Sequence, residues 1–207
     1  NASPSRVSYL KEAGFDILNI ANNHILDLGI EGFHNTIAVL RKEKLAFIGA
    51  NDKSDSSCSI VERKGVRFGF LGYCEGVGDL PENNIWMNKI DQAQILRDIE
   101  FIKSQCDCVI ISLHWGVENV FYPSPKQISL ARRLIDNGAS VVLGHYSHVA
   151  QGIEWYKHGL IAYSLGNFQF DHKISYSKTN ESFILCLDFQ NGLLENYRIV
   201  PVVIDHN

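Results

Sequence analysis

The sequence has 207 residues, of which 45% are hydrophobic and 20% are charged, which is typical of one globular domain with a sizeable core. We therefore predict a single domain over residues 1–207. Lys and Arg total 19 against 23 Asp and Glu, a net charge of −4, so no diffuse basic field favours nucleic-acid binding.

Neither a membrane-spanning helix nor a disulfide is predicted. The longest apolar runs fall far short of the roughly 20 residues that a spanning helix needs. The five cysteines are odd in number and lack paired spacing, and a chain of this size folds without covalent cross-links. Cys106 and Cys108 flank a single residue, and we interpret both as buried structural thiols.

Helices and strands alternate through the first half of the chain. In chain order, hydrophobic spacing predicts a helix over 7–13, a strand over 15–20, a helix over 31–42 and a strand over 45–48. Two further strands, 58–63 and 66–73, flank Lys64-Gly65, which predicts an antiparallel hairpin. The stretch 76–88 is rich in glycine, proline and asparagine and predicts a loop.

The second half continues the alternation and then becomes rich in strands. The predicted elements are helices over 91–104 and 124–137 and strands over 109–113, 140–143, 153–157, 160–164, 182–189 and 193–203. No repeat or linker interrupts them. The sequence therefore predicts one α/β domain in which helices cover either one large mixed sheet or two stacked sheets.

Four of the eight histidines stand in polar or glycine-containing loops just after an apolar strand, where open α/β sheets place their ligands. These four are His24, His114, His145 and His148. The other four have settings typical of solvated side chains, and they are His34, His158, His172 and His206.

The joint placement of these strand-end histidines predicts a metal site. Neutral imidazole is the commonest nitrogen ligand of zinc, manganese and iron, and Asn23 can add a carbonyl oxygen. His145 and His148 are three residues apart after a glycine, so either both rings bind one metal or one of them contacts substrate.

Other polar residues near these loops have a functional and a structural interpretation. Asp27 either accepts the Nδ1 proton of His24 or caps the turn before Gly29. Glu118 and Glu154 are further oxygen candidates, of which Glu118 is the better placed, and Asn167 either contacts substrate or orients a ligand.

Two common reaction types find no support in the sequence. No serine lies in a nucleophile-elbow pattern, and no glycine-rich loop with lysine is present to hold a phosphate chain. The sequence therefore favours neither covalent catalysis nor nucleotide hydrolysis by a P-loop.

Four segments, in order along nearly the whole chain, resemble the bacterial capsule synthesis protein family called CapA or PgsA, of poly-γ-glutamate biosynthesis. The segments are Ala21-Asn22-Asn23-His24 with Leu26-Asp27-x-Gly29, Ser112-Leu113-His114-Trp115-Gly116-Val117-Glu118, Gly144-His145-x-x-His148, and Ile161-Ala162-Tyr163-Ser164-Leu165-Gly166-Asn167-Phe168. The family is grouped with the calcineurin-like metallophosphatases. The resemblance implies an α/β fold, a sandwich of two mixed β-sheets flanked by helices, here without the family's N-terminal strand.

The resemblance also implies roles for individual residues. Asn23 matches a metal-ligating asparagine, and His24 matches the residue that protonates the leaving oxygen. The family's later histidines, which bind metal or contact substrate, are matched by His114, His145 and His148. Asp27 and Glu118 are expected to support this catalysis, and Asn167 and Trp115 are expected to contact substrate. The expected cofactor is divalent Mn, Zn or Fe, as one ion or absent in this chain, because the family's N-terminal acidic residues have no counterpart here.

Two functions remain open at this point. The first is a metal-dependent hydrolase of capsule or poly-γ-glutamate biosynthesis that acts on a phosphoester or an anionic polymer. The alternative is a non-catalytic component that uses the same pocket to bind polyglutamate or to assemble the synthase.

Location and partners are expectations from the resemblance. The family faces outward from the bacterial membrane, which implies an anchor upstream of this sequence and membrane-bound capsule synthase subunits as partners. Unpaired cysteines are more typical of a reducing compartment, so a cytoplasmic location stays open. An exposed sheet edge predicts pairing of two copies into a homodimer.

Overall fold

The computed structural model describes residues 2–53, 58–76, 85–170 and 179–205. His172 and His206, predicted to be solvated, lie outside the described residues. All five cysteines lie within the described residues, and no disulfide joins them there. Within the described ranges, no helix has both the length and the apolar character needed to cross a membrane.

The first part of the chain forms a helix–strand unit that is repeated once. A 3₁₀ turn at Pro4–Arg6 leads into α1 (Val7–Glu12), β1 (Ile17–Asn19), α2 (Gly29–Lys42) and β2 (Ala46–Ile48). β1 and β2 pair in parallel. Phe33, Ile37 and Leu40 follow the helical repeat of α2 and are buried, because this stripe faces the sheets.

The described middle part of the chain contributes five strands and one helix. Its elements are β3 (Ala50–Asn51), β4 (Cys58–Arg63), β5 (Val66–Cys74), β6 (Trp86–Met87), α3 (Gln92–Ile102) and β7 (Cys108–His114). β4 and β5 pair antiparallel, as predicted, through a turn in which Lys64 and Gly65 both have positive φ. The short β3–β6 pair was not predicted, because part of it lies in the stretch that its composition marks as a loop.

The last part contributes one helix and five strands. They are α4 (Pro125–Asp136), β8 (Val141–His145), β9 (Ile153–Tyr156), β10 (Gly159–Ala162), β11 (Glu181–Gln190) and β12 (Leu193–Val203). α4 begins at a capping box in which the Ser124 hydroxyl accepts from Gln127 N and the Gln127 side chain accepts from Ser124 N.

The described strands form one six-stranded mixed sheet and three two-stranded ladders. The order in the large sheet is β4-β5-β7-β8-β10-β9. Its four inner strands run parallel, and β4 and β9 are antiparallel edges. The predicted mixed α/β fold is confirmed. In place of two large sheets, the described residues show one, beside the pairs β1-β2, β3-β6 and β11-β12.

The core lies on both faces of this sheet. One buried cluster joins β5 and β7 to α3 and α4, with Ile111 and Leu134 among its fully buried members. The other cluster joins α2 to the loop after β1 and to Cys74 at the end of β5. Burial on both faces explains why β7 is apolar without alternation.

Asn19, at the end of β1, connects that strand to the large sheet. Its Nδ2 donates to Ser112 Oγ at 2.9 Å, and its Oδ1 accepts from Ala21 N at 3.0 Å. Gly72 leaves room for this side chain, since a Cβ there would lie 2.5 Å from Asn19 Oδ1. The loop that begins at Ala21 is thereby fixed beside the end of β7.

Candidate metal and catalytic site

The predicted histidines meet at the carboxyl-terminal edge of the large sheet. β7 ends at His114 and β8 ends at His145, and these two residues are directly paired in the parallel register. Cys74, the last residue of β5, is paired with His114 on the other side. The parallel arrangement places the ends of these strands at one edge, as the sequence predicted.

Asn23 reaches His114 from the loop after β1. Nε2 of His114 donates a hydrogen bond to Asn23 Oδ1 at 2.9 Å, between residues 91 positions apart in sequence. Asn23 Nδ2 lies 3.4 Å from His24 Nε2. The loop after β1 therefore brings both of its predicted site residues to the end of β7.

Asp27 contacts His24 rather than capping α2. Nδ1 of His24 donates to Asp27 Oδ2 at 2.9 Å. The N-cap of α2 is Leu28, and no side chain caps that helix. Of the two interpretations of Asp27, the structure shows the contact that fixes the tautomer of an exposed imidazole.

Burial keeps two of the imidazoles neutral. Desolvation lowers the pKa of His114 to about 4, helped by the positive charge that protonation of His145, His148 or His24 would place nearby. Desolvation alone lowers the pKa of His145 to about 4. Both rings are therefore uncharged at neutral pH, the state in which imidazole binds a metal.

His148 is oriented by Asn167. Nδ1 of His148 donates to Asn167 Oδ1 at 2.9 Å, and Asn167 Nδ2 donates to the Thr179 carbonyl at 3.1 Å. Nε2 of His148 lies 4.0 Å from Glu118 Oε1. Both polar atoms of Asn167 are thus engaged, which fits the orienting role and leaves its predicted substrate contact a prediction.

Trp115 does not face the site. Its side chain is 2% exposed, and Nε1 donates to the Tyr163 carbonyl at 3.2 Å. The indole therefore packs in the core, and this position corrects the expectation of a substrate contact. Glu154 is also elsewhere, because its carboxylate binds Arg132 and the Tyr163 hydroxyl.

Tyr146 is a site residue that the histidine pattern did not reveal. Its ring centroid lies 4.9 Å from that of His114 and 6.2 Å from that of His148. Desolvation, and after it the nearby carboxylate of Glu118, raises the pKa of the phenol, so the group stays protonated. Sequence spacing carries no signal for this contact, because it depends on the backbone path of the loop after β8.

The donors at this edge match a divalent transition metal in type. Neutral imidazole nitrogens and an amide oxygen are ligands of zinc, manganese and iron. Among the residues that the structure describes, no three His, Cys, Asp or Glu side chains are grouped closely enough to hold a metal ion. The described donors thus fit such a metal chemically without forming a complete ligand set of these four residue types.

Comparison with known proteins assigns the family. The model of the family described as bacterial capsule synthesis protein PGA_cap matches residues 1–172. The chain belongs to this family. The capsule biosynthesis protein CapA of Bacillus anthracis is 33% identical over 98% of the chain and 51% of its own length. The PGA biosynthesis protein CapA of Bacillus subtilis is 32% identical over 95% of the chain and 53% of its own length.

This PGA_cap chain therefore spans about half the length of these two curated relatives. Its fold is that of the phosphoesterases. The calcineurin-like phosphoesterase YfkN of Bacillus subtilis superposes with a TM-score of 0.62 at 12% identity, over 98% of this chain and 67% of its own. The predicted family and its phosphoesterase-like fold are confirmed.

Proposed function

We propose that this PGA_cap chain is a metal-dependent hydrolase of capsule and poly-γ-glutamate biosynthesis, acting on a phosphoester or an anionic polymer. One observation carries the proposal: neutral His114 and His145 lie side by side at the ends of adjacent parallel strands, with Asn23 Oδ1 2.9 Å from His114. Neutral imidazoles on rigid strand ends are better suited to bind a metal ion than to bind an anion.

The charges around the imidazoles also favour a cation. The carboxylates that lie next to them are those of Asp27, which binds His24, and Glu118, which lies near His148. Negative charge beside uncharged rings attracts a cation and repels a phosphate or polyglutamate chain. A bound cation would reverse this field, so metal binding is expected to precede binding of an anionic substrate.

We assign the metal to Asn23, His114, His145 and His148, whose imidazoles would have to draw closer together when it binds, because no three of the described His, Cys, Asp or Glu side chains are grouped for a metal. A divalent ion held there would supply charge stabilisation and an acidified water for attack on the scissile bond. The protein's own side chains supply the proton donor. His24 presents Nε2 to the leaving oxygen, and Asp27 holds its Nδ1 proton and stabilises the imidazolium that donates from Nε2.

A second candidate is supported by a different observation. No group of three His, Cys, Asp or Glu side chains within the described ranges is arranged for a metal. A non-catalytic component that binds poly-γ-glutamate or assembles the synthase needs no such group. Under this alternative, the pocket retains polymer affinity and shows no turnover.

Metal-dependent turnover distinguishes the hydrolase from the non-catalytic component. The chain is assayed with bis(p-nitrophenyl) phosphate and with poly-γ-glutamate, with and without Mn²⁺ or Zn²⁺, beside His114→Ala. The matched control is His158→Ala, an exposed histidine in the β9–β10 turn. Hydrolysis stimulated by metal, lost in the first variant and kept in the second, supports the hydrolase. Polymer binding with no turnover at any metal concentration supports the alternative.

We further propose that the protein works beside membrane-bound capsule synthase subunits on the outer face of the membrane, as a homodimer paired through a sheet edge. Family membership supports the first part, and the unpaired outer edges of β4 and β9 in the described sheet support the second. Co-purification of synthase subunits from membranes tests the partners. Light scattering that detects only monomer would contradict the dimer.

A further inference from the structure

The loop after β8 has an unusual backbone. Tyr146 has a φ of +92° and His148 has a φ of +60°, in a region of backbone conformation that residues other than glycine rarely adopt. For a bulky residue such as tyrosine, this conformation costs free energy, and it persists only where the surroundings impose it. Such strain is found most often at functional sites.

The ring of Tyr146 lies close to two imidazoles of the site. Its centroid is 4.9 Å from that of His114 and 6.2 Å from that of His148, with interplanar angles of 56° and 47°. His148 is also in edge contact with Phe170 at 5.0 Å. The His148 ring therefore has two aromatic neighbours, Tyr146 and Phe170, and Tyr146 is also a neighbour of the His114 ring.

Glu118, in the loop after β7, lies next to this group of rings. Its Oε1 is 4.0 Å from Nε2 of His148, and its carboxylate helps to raise the pKa of the Tyr146 phenol. The same loop is joined to the loop after β8 by a backbone hydrogen bond of 2.8 Å from Asn119 N to the Ser147 carbonyl. The two loops are therefore joined directly beside Tyr146 and Glu118.

We propose that Tyr146 is a positioning residue whose ring sets the separation and orientation of the His114 and His148 imidazoles, with Glu118 anchoring its hydroxyl. The inference deepens the proposed function, because it concerns the same imidazoles. It gives Glu118 an indirect role, as the acceptor that holds Tyr146, in place of the catalytic role predicted from sequence. A glycine at position 146 would adopt this backbone conformation without strain but would lack the aromatic ring.

The test separates the effect of the strained backbone from the effect of the Tyr146 ring. Tyr146→Gly removes the ring and relieves the strained φ, whereas Tyr146→Phe keeps the ring and removes the hydroxyl. Glu118→Gln keeps an acceptor for the phenol, and Glu118→Ala removes it. Lys64→Gly is the matched control, because Lys64 is exposed, has a φ of +51° and lies in the β4–β5 turn.

Each variant is measured in two ways: by NMR of the imidazole signals in the metal-free protein, and by titration with Mn²⁺ and Zn²⁺. Tyr146→Gly is expected to keep a thermal midpoint close to that of the wild type while the His114 and His148 signals shift. Its metal affinity is expected to fall about 10- to 100-fold, as when a residue that orients a ligand is lost. Glu118→Gln is expected to resemble the wild type, and Glu118→Ala to approach Tyr146→Gly.

Unchanged imidazole signals in Tyr146→Gly would overturn the inference, and so would equal effects of Tyr146→Gly and Lys64→Gly. A wild-type chain that binds no metal would overturn the proposed function. In that case the imidazole signals of the metal-free variants still decide the role of Tyr146.

Discussion

Nε2 of His114 donates a hydrogen bond to the side-chain oxygen of Asn23 at 2.9 Å, joining the end of β7 to the loop after β1. Asn23→Ala removes this acceptor and, under the proposed function, a metal ligand. We expect metal affinity to fall about 10- to 100-fold with little loss of stability, since Asn23 is exposed. Isothermal titration measures the affinity. Asn35→Ala, on the exposed side of α2, is the control, and an equal affinity in both variants would contradict the assignment.

The lowered pKa values of His114 and His145 predict a stability that depends on pH. Both are about 4 in the folded protein, below the ordinary value of 6.5. Between these values the unfolded chain binds protons that the folded chain does not, so stability is present above about pH 6.5 and is lost as the pH falls towards 4. We expect the free energy of unfolding to fall by about 2 kcal/mol for the more deeply buried His145, and by less for the more accessible His114, between about pH 7 and about pH 5.

Urea denaturation of the metal-free protein across this range measures the effect. His145→Gln is expected to flatten the dependence on pH, because one of the two responsible groups is gone. His158→Gln, which changes an exposed histidine in a turn, is expected to keep the full slope. A wild-type stability that does not change over this range would show that the two rings are not desolvated as described.

Gly144 allows β8 to lie close to Tyr163, and this contact positions the neighbouring His145. A Cβ on Gly144 would lie 1.8 Å from the Tyr163 carbonyl oxygen and 2.7 Å from Trp115 Nε1. Gly144→Ala must therefore push β8 away from the residues that follow β10, and we expect a loss of about 3 kcal/mol or more. Chemical denaturation measures it. At Gly152 a Cβ meets nothing within 4 Å, so Gly152→Ala is expected to change stability little.

The alternation of apolar segments was sufficient to predict most of the fold. Each predicted helix and strand corresponds to an observed element with small differences at the ends. The helix predicted over 91–104, for example, is α3, whose N-cap Asp91 accepts from Gln94 N at 2.7 Å. The β3–β6 pair escaped prediction because two-residue strands have no detectable period. The extent of the large sheet also depends on pairing between distant strands, which spacing along the chain does not encode.

The site was predictable where it lies at strand ends and unpredictable where it depends on loop paths. His114 and His145 follow apolar strands, so the parallel-sheet rule places them together. Tyr146 was missed because its position next to two imidazoles follows from a backbone with φ of +92°. The burial of Trp115 was missed for a related reason, since the side chain turns from the strand end back towards the Tyr163 carbonyl.

Asp27 offers a test of the proton donor. The carboxylate accepts from Nδ1 of His24 at 2.9 Å, so it fixes the tautomer and stabilises the charged ring. Asp27→Asn keeps a hydrogen-bond acceptor and removes the negative charge. We expect kcat to fall about 10-fold or more, with metal affinity nearly unchanged, because the change weakens proton donation alone. Steady-state kinetics with a fixed metal concentration measures it, and an unchanged kcat would remove His24 from the proposed chemistry.

Metal content tests the central claim most directly. The purified chain and its His145→Ala/His148→Ala double variant are incubated with Mn²⁺ or Zn²⁺, desalted and measured by elemental analysis, with His34→Ala as the control. The proposed function predicts stoichiometric metal in the wild type and in His34→Ala, and none in the double variant. A wild-type chain without metal, or a double variant that keeps it, would contradict a metal site at the ends of β7 and β8.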